Sequence, residues 1–214
     1  MGKFKLIILD FDGTLGDSNK LIVDTMQAVI RELGLPDRTR EECSSTIGLP
    51  LKECFTSIIP MSEEMGDRCV QTYFRIFDEN NVPGAVPAFP GVLDTLHQLH
   101  REGILLSIAS SRNSASLKGF VRDFGIEGIV PYVLGADNVS KAKPDPAPVL
   151  QTLAHFGIAA EDTLVVGDAA FDIKMGANAH AFTCGVTYGN GSAEELKSAG
   201  ADYLINSFTE LLKL

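Results

Sequence analysis

The amino-acid sequence predicts a doubly wound α/β fold, a parallel sheet with helices on both faces, into which an all-helical domain is inserted. Six short apolar runs recur along the 214 residues, and most are continuous rather than alternating, as in strands buried on both faces of a parallel sheet. Helical periodicity separates most of these runs, which gives the β-α-β alternation of right-handed crossovers. The first two runs are too far apart for one crossover, so a further domain lies between them.

The predicted strands are short and apolar, and polar or glycine-containing segments bound them. They cover residues 4–9, 104–109, 129–134, 163–166, 181–186 and 203–205. Helices are predicted at 113–124 and 148–156, because each of these segments presents apolar side chains on one face. Gly125 and Gly157 follow them, at the position where glycine commonly ends a helix.

The insert follows the first strand and is itself predicted to be helical. Roughly 90 residues separate the first strand from the second, whereas a crossover needs only a dozen or more. Two stripes of apolar residues recur at helical spacing within this segment: Leu21, Ile22, Met26, Val29, Ile30 and Leu33, and Met65, Cys69, Tyr73 and Phe77. A segment rich in proline and glycine, 81–91, marks the return to the sheet. The predicted core is therefore 1–15 with 84–214, and the predicted insert is 16–83.

The composition limits the partners that the protein can have. The formal net charge is −10 and no long cluster of Lys and Arg is present, so neither a nucleic acid polymer nor a membrane is expected as a partner. An anionic small molecule would need a local positive group or a bound cation. The four cysteines show neither disulfide nor zinc spacing, and no signal-peptide layout or spanning apolar run occurs. We therefore expect a cytoplasmic protein, of unknown oligomeric state.

Acidic residues follow two of the predicted strands. Asp10 and Asp12 end the first apolar run, and Asp168 follows the fourth, with Asp172 one helical turn later. In doubly wound sheets, ligands bind outside the carboxyl ends of the strands. Clustered carboxylates repel one another unless protons or a cation compensate, and Mg²⁺ prefers such oxygen ligands while leaving positions for water and a phosphate. The sequence therefore predicts a Mg²⁺ site that could also hold a phosphate.

Further polar residues are predicted at the same edge of the sheet. Ser110, Ser111 and Arg112 end the second apolar run, and Lys143 precedes a proline-rich segment that would hold its backbone stiff. Each piece alone has a purely structural interpretation as a turn, a helix start or a surface charge. Their combination, in this order at strand ends, indicates a functional site.

These residues resemble the haloacid dehalogenase-like superfamily of phosphotransfer enzymes. Its four motifs appear as DFDGT at 10–14, Ser110 closing IAS, Lys143 in KPDP, and GDAAFD at 167–172. The resemblance covers nearly the whole chain, including a helical insert at the position of that family's C1-type cap. Within the family, the segments FDGTLGDS, IGLPLKECF, PAFPGV and KPDPAP are most similar to the phosphoglycolate phosphatase branch.

The resemblance implies a Mg²⁺-dependent phosphatase acting on a small-molecule phosphomonoester. Asp10 would be the nucleophile that forms an aspartyl-phosphate, and Asp12 the general acid and base. Mg²⁺ would be held by Asp10, by the backbone carbonyl of Asp12 and by Asp168, with Asp172 supporting its water shell or Lys143.

The resemblance also implies how the phosphoryl group would be held. Ser110 and Lys143 would bind phosphoryl oxygens, and Thr14 would shape the turn after the nucleophile. Ser111 and Arg112 replace the Asn and Lys common in close relatives and are expected to alter substrate contacts, and Ala169 replaces a frequent Ser or Thr.

The insert is expected to act as a cap that closes over the site and presents specificity residues. Gly48 and Lys52 are the candidates for its substrate loop, although Lys52 is equally well explained as a solvated helix charge. Two other functions fit the motifs. One is a phosphomutase similar to β-phosphoglucomutase, and the other is a non-catalytic phosphate-binding module.

Overall fold

The computed structural model describes residues 4–82 and 84–214, which separate into two units. The core comprises the chain up to Gly16 and from Ala88 onward, and the insert comprises Asp17–Pro87. Residues 84–87 therefore group with the insert and Gly16 with the core, whereas the sequence assigned 84–87 to the core and Gly16 to the insert. The junction is fixed by pairing, because Gly16 and Ala88 form an antiparallel bridge and the Phe89 amide donates to the Leu15 carbonyl at 3.0 Å.

One sheet of six parallel strands forms the centre of the core. The strands are β1 (Leu6–Leu9), β2 (Leu105–Ala109), β3 (Tyr132–Leu134), β4 (Thr163–Gly167), β5 (Phe182–Val186) and β6 (Tyr203–Ile205). Their order across the sheet is β3-β2-β1-β4-β5-β6, so β1 is central and every residue of it is buried. This arrangement confirms the predicted doubly wound α/β fold.

The third strand is shorter than predicted. It begins at Tyr132, because Pro131 has no N–H to give to a ladder and the amides of Ile129 and Val130 donate instead to the Ile126 carbonyl. These two residues form a turn that leads from the preceding helix to the edge of the sheet.

The insert consists of helices in the residues that the structure describes, apart from an isolated bridge between Ile47 and Leu49. Its helices are α1 (Asn19–Glu32), α2 (Arg40–Ser44), α3 (Leu51–Thr56) and α4 (Glu63–Asn80). α1 packs against α4, and most of the two predicted apolar stripes are buried between the helices. Aromatic contacts add to this packing, with Tyr73 stacked on Phe77 at 5.6 Å between ring centroids.

The core helices connect successive strands and cover the sheet. They are α5 (Val92–Arg101), α6 (Ser114–Asp123), α7 (Ala147–Phe156), α8 (Ala170–Asn178) and α9 (Ala193–Ser198). The Asn113 side chain caps α6 by accepting from the Ser116 amide at 2.8 Å, and Gly157 ends α7 with a φ of 67°.

Two further predictions concern cysteines and membranes. The four cysteines are free thiols and all are buried. Within the described ranges, no helix combines the length and the apolar character that crossing a bilayer requires.

Candidate active site

The register of the sheet brings the polar ends of β1 and β4 side by side. Leu9 is paired with Val166 on one side and with Ile108 on the other. The Asp10 amide continues the ladder by donating to the Val166 carbonyl at 2.9 Å. The strands β1, β4 and β2 end at Leu9, Gly167 and Ala109, so the residues that directly follow them, Asp10, Asp168 and Ser110, emerge at one edge of the core.

A buried lysine lies between two of the predicted carboxylates. Lys143 Nζ donates to Asp10 Oδ1 and to Asp172 Oδ1, each at 2.6 Å. The three side chains are at most 9% exposed, although they come from segments far apart in the chain. Asp172 accepts a further bond from the Ala169 amide at the start of α8, through Oδ2 at 3.1 Å. Lys143 therefore compensates two buried carboxylates at once.

Asp168 is held by the loops on either side of it. Its Oδ2 accepts from the Asn190 amide at 2.7 Å and from Asn190 Nδ2 at 2.9 Å, and its Oδ1 accepts from the Thr14 hydroxyl at 3.3 Å. Gly13 has a φ of 80°, and a Cβ placed on it would lie 2.1 Å from Asp168 Oδ2. Only glycine permits this approach, so the DFDGT turn and Asp168 fit closely together.

Asp12 forms an ion pair that the sequence did not predict. Arg112 Nε lies 2.6 Å from Asp12 Oδ2, and Arg112 Nη2 lies 2.7 Å from Asp12 Oδ1. This is the bidentate geometry in which guanidinium binds carboxylate most strongly. Ser110 Oγ accepts from the Arg112 amide at 3.4 Å. The neighbouring Ser111 is half-buried in the same loop.

Two further candidates, Gly48 and Lys52, belong to the insert. Lys52 Nζ pairs with Glu63 at 2.6 Å and with Asp67 at 2.8 Å, both on α4. Gly48 has a φ of 105° in the turn before α3. Their substrate contacts stay predictions, and the geometry within the insert gives Lys52 a structural role as well.

Burial perturbs the acid and base strengths in the core site. It raises the pKa of Asp10 well above the usual value, and nearby carboxylates add to this rise while Lys143 opposes it. Burial, followed by the charge of Asp172, raises the pKa of Asp168 to about 7. Burial alone would lower the pKa of Lys143, but Asp10 and Asp172 raise it above the ordinary lysine value. Lys143 is therefore charged, and its single positive charge compensates only part of the negative charge of the carboxylates around it.

Comparison with known proteins identifies the family. The family model described as haloacid dehalogenase-like hydrolase matches residues 7–186, which include Asp10, Asp12, Ser110, Arg112, Lys143, Asp168 and Asp172. The chain belongs to this family. The probable phosphatase IndB of Dickeya dadantii is 34% identical over 97% of this chain and 91% of its own. The pyrophosphatase PpaX of Listeria innocua is 31% identical over the whole of this chain and 97% of its own.

Solved structures show the same architecture. A haloacid dehalogenase-like hydrolase from Bacteroides fragilis superposes with a TM-score of 0.92 at 27% identity, covering 98% of this chain and 100% of that one. A predicted phosphoglycolate phosphatase from Haemophilus somnus gives a TM-score of 0.88 at 24% identity, covering 100% and 98% of the two chains. These neighbours confirm the fold, and the family model with the phosphatase relatives confirms the expected resemblance to phosphatases of the haloacid dehalogenase-like family.

The buried carboxylates of this family member fit a divalent cation. Asp10, Asp168 and Asp172 each offer an oxygen, and these oxygens lie within 4.8 Å of one another. With Asp12 included, full ionisation of the four carboxyl groups would set four negative charges against the two positive charges of Lys143 and Arg112, a net charge of −2. One divalent ion would balance that charge, and hard oxygen donors suit Mg²⁺. Because Arg112 engages both carboxylate oxygens of Asp12, the backbone carbonyl is the better metal ligand at that residue.

Sequence reasoning missed the loop after β5. Besides Asn190, this loop contributes Tyr188, whose hydroxyl donates to the Thr14 carbonyl at 2.8 Å. It also contributes Gly189, where a Cβ would lie 2.4 Å from the Asp168 side chain, and Gly191, whose amide donates to the Asp168 carbonyl at 3.1 Å. The available signal was the glycine-rich sequence TYGNGS directly after a buried strand. The loop thereby fixes both Asp168 and the DFDGT turn.

The metal-free protein is expected to lose stability as the pH rises from about 5 to about 8. The pKa of Asp168 is about 7 in the folded chain against a reference of 3.8, so the native state holds more protons than the unfolded state across this interval. The free energy of unfolding should fall by up to about 1.4 kcal/mol per pH unit for this group. Urea unfolding in chelator at several pH values measures it. Asp168→Asn should reduce the slope of the free energy of unfolding against pH, whereas Asp94→Asn, at an exposed position, should leave that slope unchanged. Equal slopes in the wild type and both variants would show that Asp168 does not cause the pH dependence.

Proposed function

We propose that this family member is a Mg²⁺-dependent phosphatase that hydrolyses a small-molecule phosphomonoester through an aspartyl-phosphate on Asp10. The observation that carries the proposal is the buried arrangement of Asp10, Lys143, Asp168 and Asp172 at the end of the central strand. A carboxylate nucleophile needs positive charge nearby to approach an anionic ester, and this arrangement supplies one cation and the ligands for another.

The first displacement would transfer the phosphoryl group to the protein. An Asp10 oxygen attacks phosphorus, the bond from phosphorus to the leaving oxygen breaks, and that oxygen takes a proton from Asp12. The alcohol then departs with no net charge. Asp10 is one of the two acids of the DFDGT turn, and its main chain is held in the ladder with β4.

The second displacement would release phosphate and restore Asp10. A water attacks phosphorus, Asp12 accepts its proton, and the acyl phosphate bond to Asp10 breaks. Asp12 therefore alternates between acid and base, as microscopic reversibility requires of one group serving both steps. Orthophosphate and the free Asp10 carboxylate are the products.

Several residues around Asp10 would stabilise the negative charge of the phosphoryl group. Lys143 and Ser110 would hold phosphoryl oxygens, and Asp168, supported by Thr14 and Asn190, would hold Mg²⁺ together with Asp10. A bound Mg²⁺ supplies charge neutralisation between the carboxylates and the phosphoryl group. Asp172 keeps Lys143 in place.

Inorganic diphosphate is the second candidate substrate. The name of the Listeria relative, a pyrophosphatase, favours it, and the same two displacements would cleave a phosphoanhydride. The insert is proposed to be the cap domain that distinguishes these substrates, with Gly48 and Lys52 in its specificity loop.

The test is phosphate release from matched substrates with Mg²⁺ or with chelator. The panel contains 2-phosphoglycolate, a sugar phosphate, a nucleotide, inorganic diphosphate and an aryl phosphate. Metal-dependent release from one or more monoesters supports the proposal, and a strong preference for diphosphate selects the second candidate. If a sugar phosphate is isomerised without phosphate release, the protein is a mutase. Phosphate binding without any turnover would refute an enzymatic role.

Lys52→Ala is expected to raise the KM for the preferred substrate by about tenfold, the loss of one charge-assisted contact. The aryl phosphate should be hardly affected, because it lacks the natural leaving group. Lys20→Ala is the matched control, since Lys20 is an exposed lysine of the same insert that pairs with Asp24. An equal change in KM for both substrates would show that Lys52 acts only through Glu63 and Asp67.

A further inference from the structure

Arg112 is joined to Asp12 more tightly than a surface ion pair would be. The side chains are 11% and 13% exposed, and both carboxylate oxygens are engaged at 2.6 and 2.7 Å. Exposed pairs contribute little because water screens them and both side chains lose freedom. This pair is largely shielded from water, so its geometry constrains where the Asp12 carboxylate points.

The Arg112 guanidinium packs against a stack of two aromatic rings. Arg112 Cζ lies 5.0 Å from the centroid of the Phe120 ring, and Phe120 stacks on Phe11 at 4.9 Å with an interplanar angle of 22°. Phe11 is completely buried and directly precedes Asp12 in the chain. The stack therefore connects the main chain beside Asp12 to the plane of the guanidinium, which limits how far either can move.

The main chain of Arg112 is also held. Its amide donates to Ser110 Oγ at 3.4 Å, and its carbonyl accepts from the Ala136 amide at 2.7 Å. A Cβ on Gly135 would lie 2.6 Å from that carbonyl oxygen, so glycine permits the close approach of the two loops. Both ends of the arginine are thus fixed before any substrate arrives.

We propose that Arg112 is a positioning residue that holds the Asp12 carboxylate in the orientation needed for proton transfer, an inference that rests on the proposed function. A carboxylate has about four acceptor positions, so two donors from Arg112 do not exhaust them. Proton transfer requires the acid to lie within hydrogen-bond reach of the leaving oxygen, and a freely rotating Asp12 would meet that requirement for only part of the time. Lysine could supply the charge but neither the fork nor the planar contact with Phe120.

The proposal predicts a dependence on the leaving group. An alkyl alcohol leaves only when protonated, whereas a nitrophenolate leaves without help. Arg112→Gln should therefore lower kcat/KM for glycerol 2-phosphate by about 10- to 100-fold, part of the effect of general acid catalysis. It should lower kcat/KM for p-nitrophenyl phosphate by no more than about threefold, because this parameter reports the steps up to departure of the leaving group.

A double-mutant cycle then tests whether Arg112 acts through Asp12. In an Asp12→Asn background, Arg112→Gln should have almost no further effect on glycerol 2-phosphate, because the group to be positioned is gone. For glycerol 2-phosphate, Arg112→Lys should regain less than half of the logarithm of kcat/KM that Arg112→Gln loses relative to the wild type. Arg122→Gln is the control, since Arg122 is an exposed arginine at the other end of α6. Thermal unfolding verifies that each variant is folded. If Arg112→Gln does not fold, Arg112→Lys takes its place in the comparison of the two esters and in the cycle.

The outcomes separate the possible failures. Equal losses on both esters that persist in the Asp12→Asn background would make Arg112 a substrate ligand and overturn the proposal. Full recovery by Arg112→Lys would also overturn it, since charge alone would then suffice. If the wild type hydrolyses neither of these esters nor any monoester of the panel above, the proposed function fails, and the positioning role fails with it.

Discussion

Asp10→Asn is expected to reduce phosphate release by about 10⁴-fold or more, the order of loss seen when a nucleophile is removed. The change replaces a carboxylate oxygen with an amide of the same shape, so the fold is kept while the nucleophile is lost. Asn can still accept the hydrogen bond that Lys143 donates to Asp10 at 2.6 Å. Substitution also removes one of several buried negative charges, so stability should not fall. Phosphate release measured with Mg²⁺ should fall by this order for alkyl and for aryl esters alike.

A trapping experiment distinguishes the nucleophile from a mere metal ligand. After acid quenching of a reaction with ³²P-labelled substrate, the wild type should retain label that hydroxylamine removes, as expected of an acyl phosphate. Asp10→Asn should retain none, and the exposed core variant Asp94→Asn should behave like the wild type. Label on Asp10→Asn would place the covalent step at another residue and would refute the proposed mechanism.

Lys143→Gln is expected to lower both activity and stability. Breaking a buried ion pair by removing one partner typically destabilises a protein by about 3–5 kcal/mol, because the other charge is left buried without compensation. Here Lys143 serves both Asp10 and Asp172, and all three side chains are nearly inaccessible to water. Urea unfolding in chelator at about pH 8, above the pKa of about 7 of the neighbouring Asp168, should reveal the loss. Phosphate release should fall as well, since no other cation of the chain bonds to Asp10 among the described residues.

The loss of stability in Lys143→Gln should shrink as the pH falls. Burial raises the pKa of Asp10 and Asp168, so these groups take up protons on acidification and their repulsion is relieved. Lys141→Gln is the matched control two positions away, because the Lys141 side chain is 72% exposed and pairs only loosely with Asp145 at 3.4 Å. It should change the free energy of unfolding by less than about 0.5 kcal/mol. If the two variants were equally stable, Lys143 would not be compensating buried charge.

Much of the fold follows from local signals in the sequence. Continuous apolar runs mark strands that are buried on both faces, and the position of Gly157 marks the end of α7. The start of β3 did not follow, because periodicity cannot reveal that the amides of Ile129 and Val130 turn back to Ile126. The division of the chain at Gly16 and Ala88 likewise depends on a bridge between residues that are distant in sequence.

The same distinction, between features set by local sequence and features set by distant contacts, applies to the candidate site. Asp10 and Asp168 could be placed together because both follow buried strands of one parallel sheet, and that rule holds without any knowledge of side-chain contacts. The pairing of Asp12 with Arg112 could not be predicted from the sequence, because it depends on side-chain rotamers and on the Phe120 ring that packs against the guanidinium. Asn190 was missed because hydrogen bonds donated by a loop have no periodic signature in sequence.

The strand order has a consequence for how the chain acquires its activity. β1 is the first strand of the sheet to be synthesised, yet in the folded sheet it lies between β2 and β4. The contact between Lys143 and Asp10 spans 133 positions, and that between Thr14 and Asp168 spans 154. During synthesis, the apolar edge of β1 next to β4 stays unpaired until the chain has passed Gly167, and such an edge invites association with other chains. A nascent or truncated chain that ends before β4 would therefore be inactive and prone to aggregate, rather than a weakened enzyme.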